Sequence, residues 1–171
     1  LGQSDGNAER EMVHHVVSYF TNSANYGDKS NIATVTYLKM PHQPFVLTAD
    51  GGENSLLNWH NWSDPQQYLG QFIYTTTIMQ EIVDGILAND PQAVIVMQSD
   101  HSARGLQSAD GTYLIEKFDR RHFFNTVYYA GEPMTEIEGQ SGVNTVRLVL
   151  SKLLGEDLPV IDPVPVSEFE F

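Results

Sequence analysis

Asp100 and His101 stand side by side, an acid and an imidazole that together offer a divalent cation one hard oxygen and one nitrogen. They end the stretch Ala93-Val94-Ile95-Val96-Met97-Gln98-Ser99, whose first half is apolar and β-branched without alternation, with Pro91 just ahead of it. Such a run predicts a strand buried on both faces, as in a parallel sheet. In open α/β sheets ligands bind beyond the carboxyl ends of strands, where this pair lies. The plainer alternative is a strand leaving the core through a polar turn, with Asp100 capping the next backbone N–H groups. A second imidazole, His42, sits in Met40-Pro41-His42-Gln43-Pro44, where two prolines stiffen the backbone around it. It also follows a β-rich segment, residues 32–38. His14 and His15 differ: helical neighbours point about 100° apart and cannot easily chelate one ion together, so they read as surface or boundary residues.

The elements expected to position these groups follow from periodicity. Met12, Val13, Val16, Val17 and Phe20 recur at helical spacing and predict a helix over 8–20. Residues 32–38 have strand propensity. Residues 46–64 are irregular and hold Trp59, His60 and Trp62, a lid or binding loop on one reading and tryptophans packed on a sheet edge on the other. Asp64-Pro65 is a helix start, an N-cap with proline at the first helical position. Tyr68, Leu69, Phe72, Ile73, Met79, Ile82, Val83, Ile86 and Leu87 continue that helix as an apolar stripe until Asn89-Asp90-Pro91. Strand, helix and strand in this order predict a right-handed parallel crossover.

Beyond His101 comes a Gly/Ser/Asp-rich loop, 102–112, and then a third strand over 123–130. Ser141 opens a last helix with Val143, Val146, Leu150, Leu153 and Leu154 on one face, closed by Gly155. The acidic, proline-containing end includes Leu158-Pro159-Val160-Ile161, able to lie extended along the domain. No internal repeat is visible. The expected architecture is α/β, a mostly parallel sheet flanked by helices, within a single domain spanning 1–171.

Composition narrows the function. Nine basic residues against twenty-two acidic ones leave a net charge of -13, which argues against nucleic acid as a main partner. No basic amphipathic segment points to an anionic membrane surface, and no apolar run approaches the roughly 20 residues that span a bilayer. Without cysteine there are no disulfides and no thiolate ligands, and the redox compartment stays open. The start at Leu1, without an initiator Met or a signal-peptide pattern, reads as a processed chain or an excised piece.

Taken in order, Pro41-His42-Gln43-Pro44-Phe45, Ala88-Asn89-Asp90-Pro91, Ser99-Asp100-His101 and Ser141-Gly142-Val143-Asn144-Thr145-Val146-Arg147 resemble the C-terminal half of the alkaline phosphatase/sulfatase superfamily. The nearest branch is the sulfatase-like proteins that include lipoteichoic acid synthases and phosphoethanolamine transferases. The resemblance covers roughly residues 32–161 and implies an alkaline-phosphatase-like fold, here partial. It implies that Asp100 and His101 are metal ligands, for Zn, Mn, Mg or Ca. It also implies that His42 is the catalytic histidine that contacts the substrate's phosphate or sulfate or, in some members, a second metal. Arg104, three residues beyond His101, would meet an anionic substrate oxygen, or else pair with an acidic loop.

The chain departs from the family pattern in several places. Ser102 stands where a glycine usually follows Asp-His, and Gly142 where the last motif has proline. Tyr37 occupies a position that often holds a further histidine.

Family catalysis also needs an N-terminal half that brings another acidic ligand and a Thr, Ser or formylglycine nucleophile. This chain has no cysteine and no Ser-x-Pro-x-Arg. The implied function is therefore the C-terminal portion of a metal-dependent phosphate- or sulfate-ester hydrolase or transferase. It would bind metal weakly by itself and be inactive alone. Its substrate would be a small anionic ester or a lipid or glycan head group, and the family implies an extracytoplasmic or membrane-tethered setting. The alternatives are a non-catalytic binding or assembly domain with the same fold, and a small flavodoxin-like binding domain. An incomplete sheet also predicts an exposed edge or apolar patch, open to self-association or covered by residues 158–171.

Overall fold

The computed structural model describes residues 7–27, 32–55, 63–103, 105–115 and 122–162. Its elements in order are α1 (Asn7–Thr21), α2 (Pro65–Asn89), β1 (Val94–Gln98), β2 (Asn125–Tyr129), β3 (Glu132–Pro133) and α3 (Gly142–Leu154). Single helical turns lie at Ser23–Asn25 and Thr135–Ile137. All three expected helices are present. Asp64 caps α2 by accepting from the Gln66 and Gln67 N–H groups, with Pro65 in the first turn. Gly155 closes α3 in the left-handed region, at φ 67°.

The sheet is a correction. Among the described residues it has three strands in the order β1-β2-β3, every pairing antiparallel, with neither a mostly parallel sheet nor a parallel crossover. Val96 pairs with Val127, and Gln98 with Asn125. The reversal from β2 to β3 is a tight turn at Ala130-Gly131, both with positive φ, as mirror-image hairpin turns require. Pro133 sits in the short outer strand, where a missing N–H is tolerated.

β1, expected at the centre, is an edge strand of this sheet. Residues 32–38 form no strand; Val35 is 96% and Tyr37 77% exposed. A short apolar run carries β-propensity but names no partner, and here β1 pairs with a later strand instead.

Packing explains a second difference. The sheet core is Val127, Met134, Ile137 and Val149, joined by Val94, Tyr129 and Leu148. On α3 the inward positions are therefore Thr145 and Val149, while Val143, Val146, Leu150, Leu153 and Leu154, expected in the core, face outward. On α2 the buried line is Gln71, Thr75 and Ile78, spaced i, i+4, i+7, and Leu69, Phe72 and Ile73 are exposed. Further along this helix Gly85 lets α1 approach closely. A Cβ there would lie 3.1 Å from both the Phe20 carbonyl oxygen and Thr21 Cα.

A local repeat, not visible in the sequence reading, emerges from the backbone. Thr48-Ala49-Asp50-Gly51 and Ser108-Ala109-Asp110-Gly111 form equivalent hairpin tips, each closed by an isolated antiparallel bridge, Leu47 with Glu53 and Gln107 with Tyr113. The Thr48 N–H donates to the Gly52 carbonyl at 2.9 Å, and the Ser108 N–H to the Thr112 carbonyl at 2.9 Å. Gly51 and Gly111 share φ values of 82° and 85°. In each tip the aspartate accepts from the preceding hydroxyl and from a backbone N–H two residues on. These bonds hold both carboxyls below the usual range, Asp110 at about 2. One tip follows His42 and the other follows His101.

Candidate functional site

Asp100 leaves the sheet at a defined point because the ladder is extended by one side chain. The Ser99 N–H donates to the Phe124 carbonyl at 2.9 Å, and the Phe124 N–H donates to Ser99 Oγ at 2.8 Å. Gln98 Nε2 donates to Asn125 Oδ1 at 2.9 Å and to the Gly142 carbonyl at 3.2 Å. Asn125 Nδ2 in turn donates to Thr145 Oγ1 at 2.8 Å. The carboxyl end of β1, the start of β2 and the start of α3 are thus tied together directly beneath the Asp-His pair.

Asp100 uses one oxygen locally: the His101 N–H donates to Asp100 Oδ1 at 3.0 Å. That is the capping role of the plainer reading. Its other oxygen, Oδ2, lies 3.5 Å from His101 Nε2, with the aspartate side chain 83% and the histidine 30% exposed. His101 Nδ1 lies 2.7 Å from the Ser102 carbonyl. A carbonyl only accepts, so Nδ1 carries the proton, and in the neutral ring Nε2 holds the lone pair.

The separation of 3.5 Å is beyond a good N–H···O bond. Two ligands bonded at about 2.0–2.1 Å to a tetrahedral cation stand roughly 3.4 Å apart. The pair fits two positions of a cation's coordination shell. A carbonyl on the far ring nitrogen is also the usual way a ligating histidine is oriented.

His42 follows the same rule. Its Nδ1 lies 2.8 Å from the Gln43 carbonyl, so Nδ1 is again the protonated nitrogen of the neutral ring. It lines a small cleft with Glu9, Met12, Val13, Lys39 and Met40, between α1 and the proline loop. α2 holds that loop from beneath. Gln71, fully buried, accepts from the Val46 N–H at 2.8 Å and the Leu47 N–H at 3.3 Å. Its Nε2 donates to the His42 carbonyl at 2.9 Å and the Pro44 carbonyl at 3.3 Å. Asn54 Nδ2 donates to the Phe45 carbonyl at 2.7 Å and to Gln67 Oε1 at 3.1 Å. The segment after His101 meets the same helix end, where the Gln107 N–H donates to the Ser63 carbonyl at 3.0 Å.

Both histidine loops are therefore moored to the first turns of α2, but they do not form one cluster. Among the described residues no group of three or more His, Asp or Glu side chains is arranged to hold a metal ion. Arg104 lies outside the described residues, as do Trp59, His60 and Trp62. His14 and His15 are exposed on α1, in line with the surface reading. Among the described residues no helix is long and apolar enough to cross a membrane.

Sequence reasoning missed Gln71, Asn54 and the Gln98–Asn125–Thr145 chain. One signal for Gln71 was present: a polar residue inside an apolar helix, in register with Thr75 and Ile78.

The last motif is occupied with structure. Ser141 caps α3 by accepting from the Asn144 N–H, and Asn144 exchanges two bonds with the Ile161 backbone at 2.9 and 3.0 Å. Arg147 Nε donates to the Pro159 carbonyl at 2.7 Å. Compared with known proteins, the chain matches no family model, no curated protein and no solved structure.

Proposed function

We propose that this chain is the C-terminal portion of a metal-dependent phosphate- or sulfate-ester hydrolase or transferase of the sulfatase-like kind. Asp100 and His101 contribute two ligands to a divalent cation, and His42 acts on the substrate's anionic group. One observation carries the reading: Oδ2 and Nε2 of adjacent residues converge at a ligand-to-ligand spacing, with the imidazole's other nitrogen held by a carbonyl. The ordered resemblance of the four motifs supports it.

A bound divalent cation would supply Lewis acidity to the transferred group and lower the pKa of an attacking hydroxyl or water. The chain's own residues do the positioning. Ser99 and Gln98 hold the end of β1, Ser102 orients His101, and Gln71 holds the backbone on which His42 stands. Because His42 Nδ1 is engaged by a carbonyl, the ring donates to a substrate oxygen through Nε2 only as the imidazolium. With a net charge of -13, such local positive charge matters for any anionic substrate.

A non-catalytic binding or assembly role is favoured by a separate observation. Ser141 caps α3, Thr145 accepts from Asn125 on β2, and Asn144 and Arg147 hold residues 159–161, all structural contacts.

The test is turnover of chromogenic phosphate and sulfate esters with Mn2+ or Zn2+ present. The assay covers the chain alone and joined to the polypeptide encoded upstream of it. The proposal expects no turnover alone and turnover in the joined form that His101→Ala abolishes. Turnover by the isolated chain, or none in either form despite measured cation binding, would favour another function.

A further inference from the structure

β1 pairs with β2 on one side, and its other side meets no strand among the described residues. The register fixes which main-chain groups point outward. The Ser99 N–H donates to its partner Phe124, and bonding alternates along an antiparallel ladder, so Met97 and Ile95 turn their N–H and C=O groups toward β2. Val94, Val96 and Gln98 turn theirs away from it. The side chains of these three share the face that carries α3, because Val94 packs on the Val127 and Val149 core and Gln98 Nε2 donates to the Gly142 carbonyl.

α3 adds an apolar flank above this edge. The helix lies over the gap between β1 and β2, since the Gly142 carbonyl accepts from Gln98 and Thr145 Oγ1 accepts from Asn125. Thr145 and Val149 face the sheet. Asn144, Arg147 and Ser151 lie about a third of a turn to one side, and Val143, Val146, Leu150 and Leu153 about a third of a turn to the other. The first line holds residues 158–161, and its Asn144 donates to Gln140, which follows β3 and the turn at Thr135–Ile137. That line marks the β3 side, so the apolar line overhangs the unpaired side of β1. Its four residues are 41–58% exposed, and Val96 beneath them is 38% exposed.

We propose that this edge and flank dock a second copy of the chain, joined β1 to β1 about a two-fold axis at Val96. The surface is complementary to itself. Antiparallel pairing centred there sets Val96 against Val96 and Val94 against Gln98, and each outward N–H meets an outward carbonyl, about six hydrogen bonds in all. The axis stands normal to the sheet, which puts both α3 helices on one face. Each α3 axis lies about half a strand spacing inside β1; two such offsets plus one spacing of about 4.8 Å separate the helices by roughly 10 Å, the distance of packed helices. The two apolar flanks then meet.

Charge permits contact at this face. None of the twenty-two acidic residues lies on β1 or α3, and α3 carries Arg147 and Lys152. Repulsion between the remaining charges falls off over about 8 Å at physiological salt. The strip of five strand residues is about 17 Å long, near the small end of specific interfaces, so the dimer should form at micromolar concentration.

The chain has no cysteine, so a single introduced one reports on the symmetry. In this register the two Val96 Cα atoms stand about 5.5 Å apart, within disulfide range, while Val94 faces Gln98 and lies far from its own counterpart. Mild oxidation of Val96→Cys should give a disulfide-linked dimer, and Val94→Cys or Leu69→Cys on α2 little or none. Sedimentation equilibrium of the unaltered chain should show monomer and dimer in exchange. Val96→Pro removes an outward N–H that β2 does not use, and Leu150→Lys sets a charge on the exposed flank of α3. Each should raise the dissociation constant at least tenfold with the far-ultraviolet circular dichroism retained; should Val96→Pro lose that signal, Leu150→Lys decides. A chain that stays monomeric to high micromolar concentration would overturn the proposal. So would cross-linking as strong at Val94→Cys as at Val96→Cys, or a folded variant that dimerises as the unaltered chain does.

Discussion

The side-chain amide of Gln71 donates to the main-chain carbonyl of His42 at 2.9 Å, so a helix residue with no exposed surface sets where the candidate substrate histidine stands. The same amide accepts from two N–H groups and reaches a second carbonyl, and one side chain thereby satisfies four backbone groups of a loop. A loop without its own ladder needs such partners, because an unpaired buried polar group costs about 1–3 kcal/mol.

Gln71→Leu should therefore destabilise the protein by about 3 kcal/mol, since it leaves several of those groups unpaired. Gln71→Glu keeps the acceptor but sets a carboxylate against the His42 and Pro44 carbonyls, and should also be destabilising. Urea unfolding of the variants measures this. A Gln71→Leu loss within about 0.5 kcal/mol of zero would mean that the loop is held by something else.

Asp64 gives a pH-dependent contribution. Partial burial acts to raise its carboxyl pKa, but bonds from the Gln67 side chain and the Gln67 and Gln66 N–H groups outweigh it, and the net shift is downward from 3.8. A depressed folded value means that the contribution is fully present above 3.8 and is lost as pH falls through the lower folded value. Asp64→Ala should cost about 1 kcal/mol near neutrality, Asp64→Asn much less. The gap between wild type and Asp64→Ala should narrow below about pH 4. A gap that persists or widens on acidification would contradict the cap assignment.

The paired hairpin tips predict unequal tolerance at equal backbone geometry. A Cβ on Gly111 meets nothing within 4 Å, whereas one on Gly51 would lie 2.5 Å from the Tyr74 ring. Gly111→Ala should cost about 1–2 kcal/mol for left-handed backbone alone. Gly51→Ala adds a steric term of about 1–3 kcal/mol. Equal losses in thermal unfolding would show that the two tips are not packed in this way.

What the sequence made legible were the features written locally. The helix at 65–88 was marked by Asp64-Pro65 and Asn89-Asp90-Pro91, and the end of α3 by Gly155, because caps depend on single residues. The exit of Asp100 and His101 from a strand was legible for the same reason. Strand pairing was not. Ala93 to Met97 is apolar on both faces whether it ends up central or at an edge, and residues 32–38 offered it a partner that the fold does not use.

Helix faces were misread where polar residues do the packing. Gln71 on α2, and Asn144 and Thr145 on α3, are buried and hydrogen-bond to loops and strands, and buried Thr75 donates its hydroxyl to the Gln71 carbonyl of its own helix. An apolar-stripe rule assigns those faces to solvent.

The central claim, that Asp100 and His101 bind a divalent cation, is tested most directly by Mn2+ titration of the 15N-labelled chain observed through the histidine ring resonances. Paramagnetic broadening should appear first at His101 and spare His14 and His15. Asp100→Asn should abolish it, and Zn2+ added in competition should reverse it. Broadening that is uniform across the histidines, or that survives both Asp100→Asn and His101→Gln, would contradict the account.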